Sequence, residues 1–213
     1  MEKMENGKEP TIIVAPIVTA GLALIWLMIK NKLSRKTTSM VILGLKGSGK
    51  TTMWKLLKGK HLSKGHSEPS SREKIESFEV KGTDGRRVSI SATYDIGGGD
   101  DYVAQYNSLI EKHTMIYFLV DLTKLESQKA EINARLEKIV TIFNEKGIKN
   151  ECGFKIVATH LDETLYTKQV AKNRVYEALS EGYRKFDIIA LNLFDEYAFR
   201  DIKNEIVNAG INI

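Results

Sequence analysis

The sequence predicts an α/β fold: a mostly parallel six-stranded sheet covered by helices on both faces, preceded by one transmembrane helix. Three observations predict it. Short apolar runs alternate with helical patterns along most of the chain. Directly after the first of those runs, Gly44-Leu45-Lys46-Gly47-Ser48-Gly49-Lys50-Thr51 fits the phosphate-binding loop pattern G-x-x-x-x-G-K-[ST]. Near the amino terminus, Ile12 to Ile29 is a stretch of eighteen residues without a charge. The loop in its strand-then-helix setting makes this a P-loop NTPase fold.

The amino-terminal segment sets the expected topology. As a helix, residues 12–29 would reach about 27 Å, enough for a bilayer's hydrocarbon core. The alternative is a buried core helix, but such a helix normally shows a polar stripe, and this run is apolar on every side. No small-residue cleavage site follows it, so it reads as an uncleaved anchor rather than a signal peptide. Lys30, Lys32, Arg35 and Lys36 crowd its carboxyl side, while the tail 1–11 is slightly acidic. The positive-inside bias then puts the tail outside and the large domain in the cytosol, beneath a bacterial inner membrane or an endoplasmic reticulum membrane. Residues 30–39 form a basic juxtamembrane linker, and 40–213 the nucleotide-binding domain.

Charge argues in the same direction. Of the formal net charge of +5, residues 30–36 hold four basic side chains and residues 1–11 a net −1, which leaves +2 for 37–213. A nearly neutral domain with a basic neck suits anionic lipid headgroups, and nucleic acid is not expected as a partner. Cys152 is the single cysteine, so no intramolecular disulfide forms, and it reads as a small core residue.

The remaining elements follow in order. Met40 to Leu43 reads as a buried strand, and Thr51 to Leu57 as the helix that the phosphate loop opens. The polar segment from His61 to Lys74 reads as a loop. Ser77 to Lys81 and Arg87 to Tyr94 alternate apolar and polar residues around Thr83-Asp84-Gly85, the signal of a β-hairpin. Met115 to Val120 is a buried strand, and Leu125, Ile132, Leu136, Ile139, Val140 and Phe143 line one face of the helix after it. Phe154 to Ala158 and Ile188 to Leu191 are two more strands, each followed by a helical pattern. Ligands of such sheets bind at the carboxyl ends of the strands.

The chemistry-bearing residues cluster at those ends. Glycines 44, 47 and 49 let successive backbone N–H groups of the loop, with Ser48 and Thr52 in the same set, curl around phosphate oxygens; Lys46 either reaches the phosphates too or is a solvated side chain. Lys50 brings a point charge, and the Thr51 hydroxyl is a ligand for Mg²⁺. At the end of the second hairpin strand stands Asp95-Ile96-Gly97-Gly98, where the carboxylate would hold Mg²⁺ through water and the Gly98 amide would touch a terminal phosphate. A tight turn capped by Asp is the competing explanation for those four residues.

Residues 40–213 resemble the Ras-like small GTPases, in particular the Arf type and the membrane-anchored beta subunit of the signal-recognition-particle receptor. The resemblance rests on Gly44-Leu45 through Lys50-Thr51-Thr52, on Asp95-x-Gly97-Gly98 and on the order of anchor then domain. It implies GTP/GDP and Mg²⁺ as cofactors, with Lys50, Thr51 and Gly98 as catalytic residues. It also implies a base-recognition motif, [NT]-K-x-D, and Thr159-His160-Leu161-Asp162 stands at the matching place. Asp162 is then the reader of guanine's paired N–H donors, and His160 replaces the lysine whose stem usually packs on the base. A simple helix cap over the same four residues is the alternative. The loop after the sixth strand places Asn192 near the guanine oxygen, and Ser71 is chosen among Ser67, Ser70 and Ser71 as the switch hydroxyl that meets Mg²⁺. Glu2 stands where myristoylated members carry glycine, so no lipid modification is implied.

One departure shapes the functional expectation. Gly99 occupies the position where many members carry a glutamine that orients the attacking water. Intrinsic hydrolysis is then slow unless Asp100, Asp101 or a partner supplies the missing contact. The leading expectation is a membrane-anchored GTP/GDP switch with a protein partner at the cytosolic membrane face. Two others stay open: a constitutive receptor or adaptor that keeps GTP as a structural cofactor, and a P-loop ATPase. A nucleotide-dependent dimer, supplying the hydrolytic group in trans, is compatible with the sequence.

Overall fold

The structure is a computed structural model that describes residues 37–60, 72–112, 114–148 and 153–212. The expected span 12–29, the basic residues 30–36, the serines Ser67, Ser70 and Ser71, and Cys152 lie outside the described residues. Among the described residues, no helix is long and apolar enough to cross a membrane.

The first expected strand forms whole, one residue longer, and a two-residue strand precedes it. Thr37–Thr38 (β1) and Met40–Gly44 (β2) are separated by Ser39, whose carbonyl accepts from Met115 N at 2.9 Å and whose hydroxyl shares a 2.8 Å hydrogen bond with Thr114 Oγ1. The hairpin is interrupted: Glu73–Ile75 (β3) and Phe78–Lys81 (β4) face Arg87–Ile90 (β5) and Thr93–Asp95 (β6). Its register nonetheless runs unbroken from Lys81↔Arg87 through Phe78↔Ile90 to Ile75↔Thr93 and Glu73↔Asp95. At the tip, Gly82 N donates to Arg86 O, and Asp84 Oδ1 accepts from Arg86 N at 3.0 Å, which closes the turn expected at Thr83-Asp84-Gly85.

Three strands complete the parallel part: Met115–Asp121 (β7), Phe154–Thr159 (β8) and Asp187–Ala190 (β9). The ladder order is β2-β7-β8-β9, all parallel, beside the ladders β1-β5-β4 and β3-β6. The single six-stranded sheet expected from the sequence is therefore corrected to nine strands in three sheets, among the described residues. Ser91-Ala92 breaks the expected strand Arg87 to Tyr94, which apolar patterning does not register, and β3 begins at Glu73, inside the segment expected as a loop.

The helices are α1 (Lys50–Leu57), α2 (Tyr106–Leu109), α3 (Leu125–Glu145), α4 (Lys168–Ala178) and α5 (Glu196–Asn212). Alternation along β2 separates two cores. Val41 and Leu43 join the cluster under α2, α3 and α4, whereas Met40 and Ile42 join Met53, Trp54 and Leu57 of α1 and Ile202, Ile206 and Val207 of α5. Helices thus cover both faces, as expected. The face of α3 is Leu125, Ile132, Leu136, Ile139, Ile142 and Phe143. Val140 only packs partly against it, and a cation, Arg135, lies buried within it.

Candidate nucleotide-binding site

The phosphate loop leaves β2 at Gly44, where a β-carbon would stand 2.4 Å from Leu119 O and 2.7 Å from Ser48 Oγ. No side chain fits there. Gly47 and Gly49 have φ of 80° and 90°, left-handed values that turn successive amides inward and that other residues adopt at a cost. Gly49 then opens α1 without a side-chain cap, so the first-turn N–H groups of the helix remain available to an anion. Lys50 is buried, and its Nζ donates to Gly44 O at 3.0 Å and Leu45 O at 2.8 Å. Lys46 is exposed, and Thr52 is half-buried in the first turn of α1.

Thr51 joins this loop to the D-x-x-G segment. Its hydroxyl donates to Asp95 Oδ2 at 2.6 Å, and Asp95, 1% exposed, keeps its other oxygen buried without a hydrogen bond. Burial pushes the Asp95 carboxyl above its ordinary range, against the pull of the Thr51 hydrogen bond and the Lys50 charge. A hydroxyl and a carboxylate with an unsatisfied oxygen form a hard oxygen donor set that fits Mg²⁺. Of the expected metal residues, the structure brings Thr51 and Asp95 together, and Ser71 lies outside the described residues.

Gly98 seals the phosphate loop from the other side. A β-carbon on it would stand 2.2 Å from Lys46 N and 2.3 Å from Leu45 C, both backbone atoms. Gly97 lies as close to the Tyr102 ring, while Gly99 is exposed with nothing within 4 Å of its β-carbon position. Arg135 of α3 holds this segment: its Nη2 donates to Gly98 O at 3.4 Å, Asp100 Oδ1 at 2.7 Å and Glu131 Oε1 at 3.1 Å. Its Nη1 is buried. Beside it, burial pushes the Tyr106 hydroxyl up to about 12, against the Arg135 charge and hydrogen bond. Sequence reasoning missed Arg135. The available signal was a cation inside the stripe Ile132, Leu136 and Ile139.

The base-motif residues meet the loop at the end of β8. Thr159, fully buried, donates its hydroxyl to Ser48 O at 3.0 Å or Val120 O at 3.2 Å and lies 3.0 Å from His160 Nδ1. His160 has φ 57°, the one non-glycine left-handed residue among the described residues, and its Cε1 is 3.9 Å from the β-carbon position of Gly49. Asp162 is exposed in the turn Leu161–Glu163. Asn192 lies in the loop after β9, where its Oδ1 accepts from Phe194 N at 2.8 Å and closes the turn, and Leu193 beside it reaches the phosphate loop, with Cδ1 2.8 Å from the β-carbon position of Gly49.

Asp121, at the end of β7, was also missed. It is 2% exposed and accepts from Thr123 N at 2.9 Å and Thr123 Oγ1 at 2.7 Å. Burial opposes its charge, but the Thr123 bonds with His160 and Lys124 hold its carboxyl below the ordinary range.

A glycine-rich loop at a helix start, a D-x-x-G glycine packed on its backbone and a threonine-tethered base motif, all at the carboxyl ends of parallel strands, define a small GTPase of the Ras-like class. The chain belongs to the ADP-ribosylation factor family, whose pattern matches residues 25–196. Among solved structures it is similar in fold to Roco2 RocCORdC of Methanosarcina barkeri bound to GDP, at 13% identity and a TM-score of 0.56, over 84% of this chain and 50% of that one. The chain thus spans about half the length of that solved chain. No curated protein matches it.

Proposed function

We propose that this protein is a membrane-anchored GTP-binding switch with slow intrinsic hydrolysis. The observation that carries the reading is the junction of Thr51, Asp95 and Gly98: one hydrogen bond and one backbone packing contact bring the two phosphate-sensing segments onto each other. Magnesium-bound GTP, when present, supplies the charge that orders such segments and the bond whose hydrolysis releases them. Lys50 and the amides of Gly47 to Thr52 hold the phosphates, Thr51 and Asp95 hold the metal, and Gly98 offers its amide to the terminal phosphate. Thr159 ties the base motif to the phosphate loop, His160 gives the base a wall, and Asp162 reads guanine. Ser71 is the proposed switch hydroxyl. Residues 12–29 anchor the domain in a bilayer, and the readout is a protein partner at the cytosolic face.

Gly99 supports slow turnover, because no side chain stands where one would orient a water. The same residue favours a second reading, a constitutive adaptor in which GTP is structural. Calorimetry of the full chain with GTP, GDP and ATP, with and without Mg²⁺, followed by turnover and partner capture, decides. The switch requires guanine preference, and partner binding lost in Lys50→Ala or Thr51→Asn; partner binding that ignores nucleotide supports the adaptor, and ATP preference sinks both.

A further inference from the structure

We propose that Lys124 is a nucleotide-site residue that compensates for the histidine at 160, with Asp121 holding both side chains against the phosphate loop. The inference rests on the GTP-binding reading above and goes beyond it, since no motif includes Lys124. The residue comes from the turn after β7, not from the base motif. Asp121 builds that turn by accepting from Thr123 N and Thr123 Oγ1, and this delivers Lys124 at the entry of α3.

Two distances locate the ammonium group. Lys124 Nζ lies 3.1 Å from Asp121 Oδ2, and a β-carbon on Gly47 would stand 2.9 Å from the same nitrogen. Gly47 is the middle glycine of the phosphate loop, with left-handed φ, so the ammonium sits against the cradle itself. The other oxygen of Asp121 is 3.5 Å from His160 Nδ1, and His160 in turn lies beside Gly49. One buried carboxylate therefore positions an ammonium at Gly47 and an imidazole at Gly49.

The division of labour is chemical. A lysine side chain offers an aliphatic wall and a fixed positive charge together. An imidazole offers a flat wall, but its charge depends on protonation. Lys124, with about half of its side chain exposed (48%), restores the fixed charge from a neighbouring strand end, where it faces the phosphates of a nucleoside di- or triphosphate.

The test is a compensation cycle on the full chain, read by calorimetric affinity for GDP and GTP and by the melting temperature without nucleotide. Lys124→Ala is expected to weaken both nucleotides by about tenfold, a charge-assisted contact discounted for its exposure. Adding His160→Lys to that variant is expected to recover most of the loss, because the charge returns from the motif side. Unchanged affinity in Lys124→Ala, or a loss that His160→Lys leaves in place, overturns the inference while the GTP-binding reading stands. A drop in melting temperature without a drop in affinity makes Lys124 a mere partner of Asp121 and likewise overturns it. A wild-type chain that binds no guanine nucleotide sinks the underlying reading and this inference with it.

Discussion

Replacing Arg135 with methionine separates two roles that a buried cation can have. Removing one member of a buried ion pair costs about 3–5 kcal/mol when the surviving charge stays buried. Here the survivors face water: the side chains of Asp100 and Glu131 are 92% and 47% exposed, against 4% for Arg135. Their solvation returns once the guanidinium is gone, so the loss is that of surface pairs, about 0–1 kcal/mol. Methionine also fits the apolar stripe between Ile132 and Leu136. The expected net change, read by urea unfolding of the full chain, stays within about 1 kcal/mol of wild type. Over residues 98–102, by contrast, amide hydrogen exchange is expected to accelerate, because Gly98 O and Asp100 lose their tether. A stability loss of 3 kcal/mol or more would show that the guanidinium is a structural cross-link. Exchange that stays at the wild-type rate would remove Arg135 from the D-x-x-G segment's support.

Three further expectations follow from the same geometry. Gly98→Ala needs about 1.2 Å of relief, the difference between 2.2 Å and the 3.4 Å where ordinary contact begins, against backbone atoms that cannot rotate away. Misplacement of about 1 Å costs on the order of a hundredfold, so GTP turnover should fall by that factor, and equal turnover would refute the packing argument. Asp95→Asn tests the buried carboxyl. A raised folded-state pKa means that wild type loses stability as pH rises from the ordinary aspartate range (3.8) through the raised value. Without nucleotide or Mg²⁺, the Asn variant should therefore melt higher than wild type at pH 7.5, and the gap should close on acidification; a gap that ignores pH contradicts the assignment. Thr159→Val deletes one neutral hydrogen bond, about 1 kcal/mol, or roughly 2–4 °C in melting temperature for a domain of this size. No change would mean that the hydroxyl does not tie β8 to the phosphate loop.

Legibility in the sequence followed the range of each interaction. The phosphate loop could be read because eight adjacent residues carry the whole requirement, down to the left-handed glycines. Asp95 and Gly98 could be read as a strand-end pair, but not the packing of Gly98 on Lys46 N, which depends on where two distant strands end. Arg135 escaped because helical periodicity counts apolar residues and is blind to a cation whose partners lie on another segment. Asp121 and Lys124 escaped for a similar reason: each looks like an ordinary turn residue until β7 and the phosphate loop are side by side. Leu193, which reaches the phosphate loop at Gly49, escaped because an apolar residue beside a turn reads as core filler. The strand interruption at Ser91-Ala92 left no mark, since a serine is tolerated inside a strand as readily as at its break.

The interrupted hairpin has a mechanical meaning. Its register is continuous, yet Glu76-Ser77 and Ser91-Ala92 divide it into an outer ladder, β4 with β5, and an inner one of three residue pairs, β3 with β6. The inner ladder ends on Asp95, while the outer one is fastened to α5 at Thr83 with Asn204 and at Arg86 with Asn208. A two-residue gap works like a score line in sheet metal: bending concentrates there instead of spreading along the ribbon. The short strip that carries the buried Asp95 carboxylate can then part from its neighbours at a cost set by three pairs, while the tip remains bolted to the carboxyl-terminal helix.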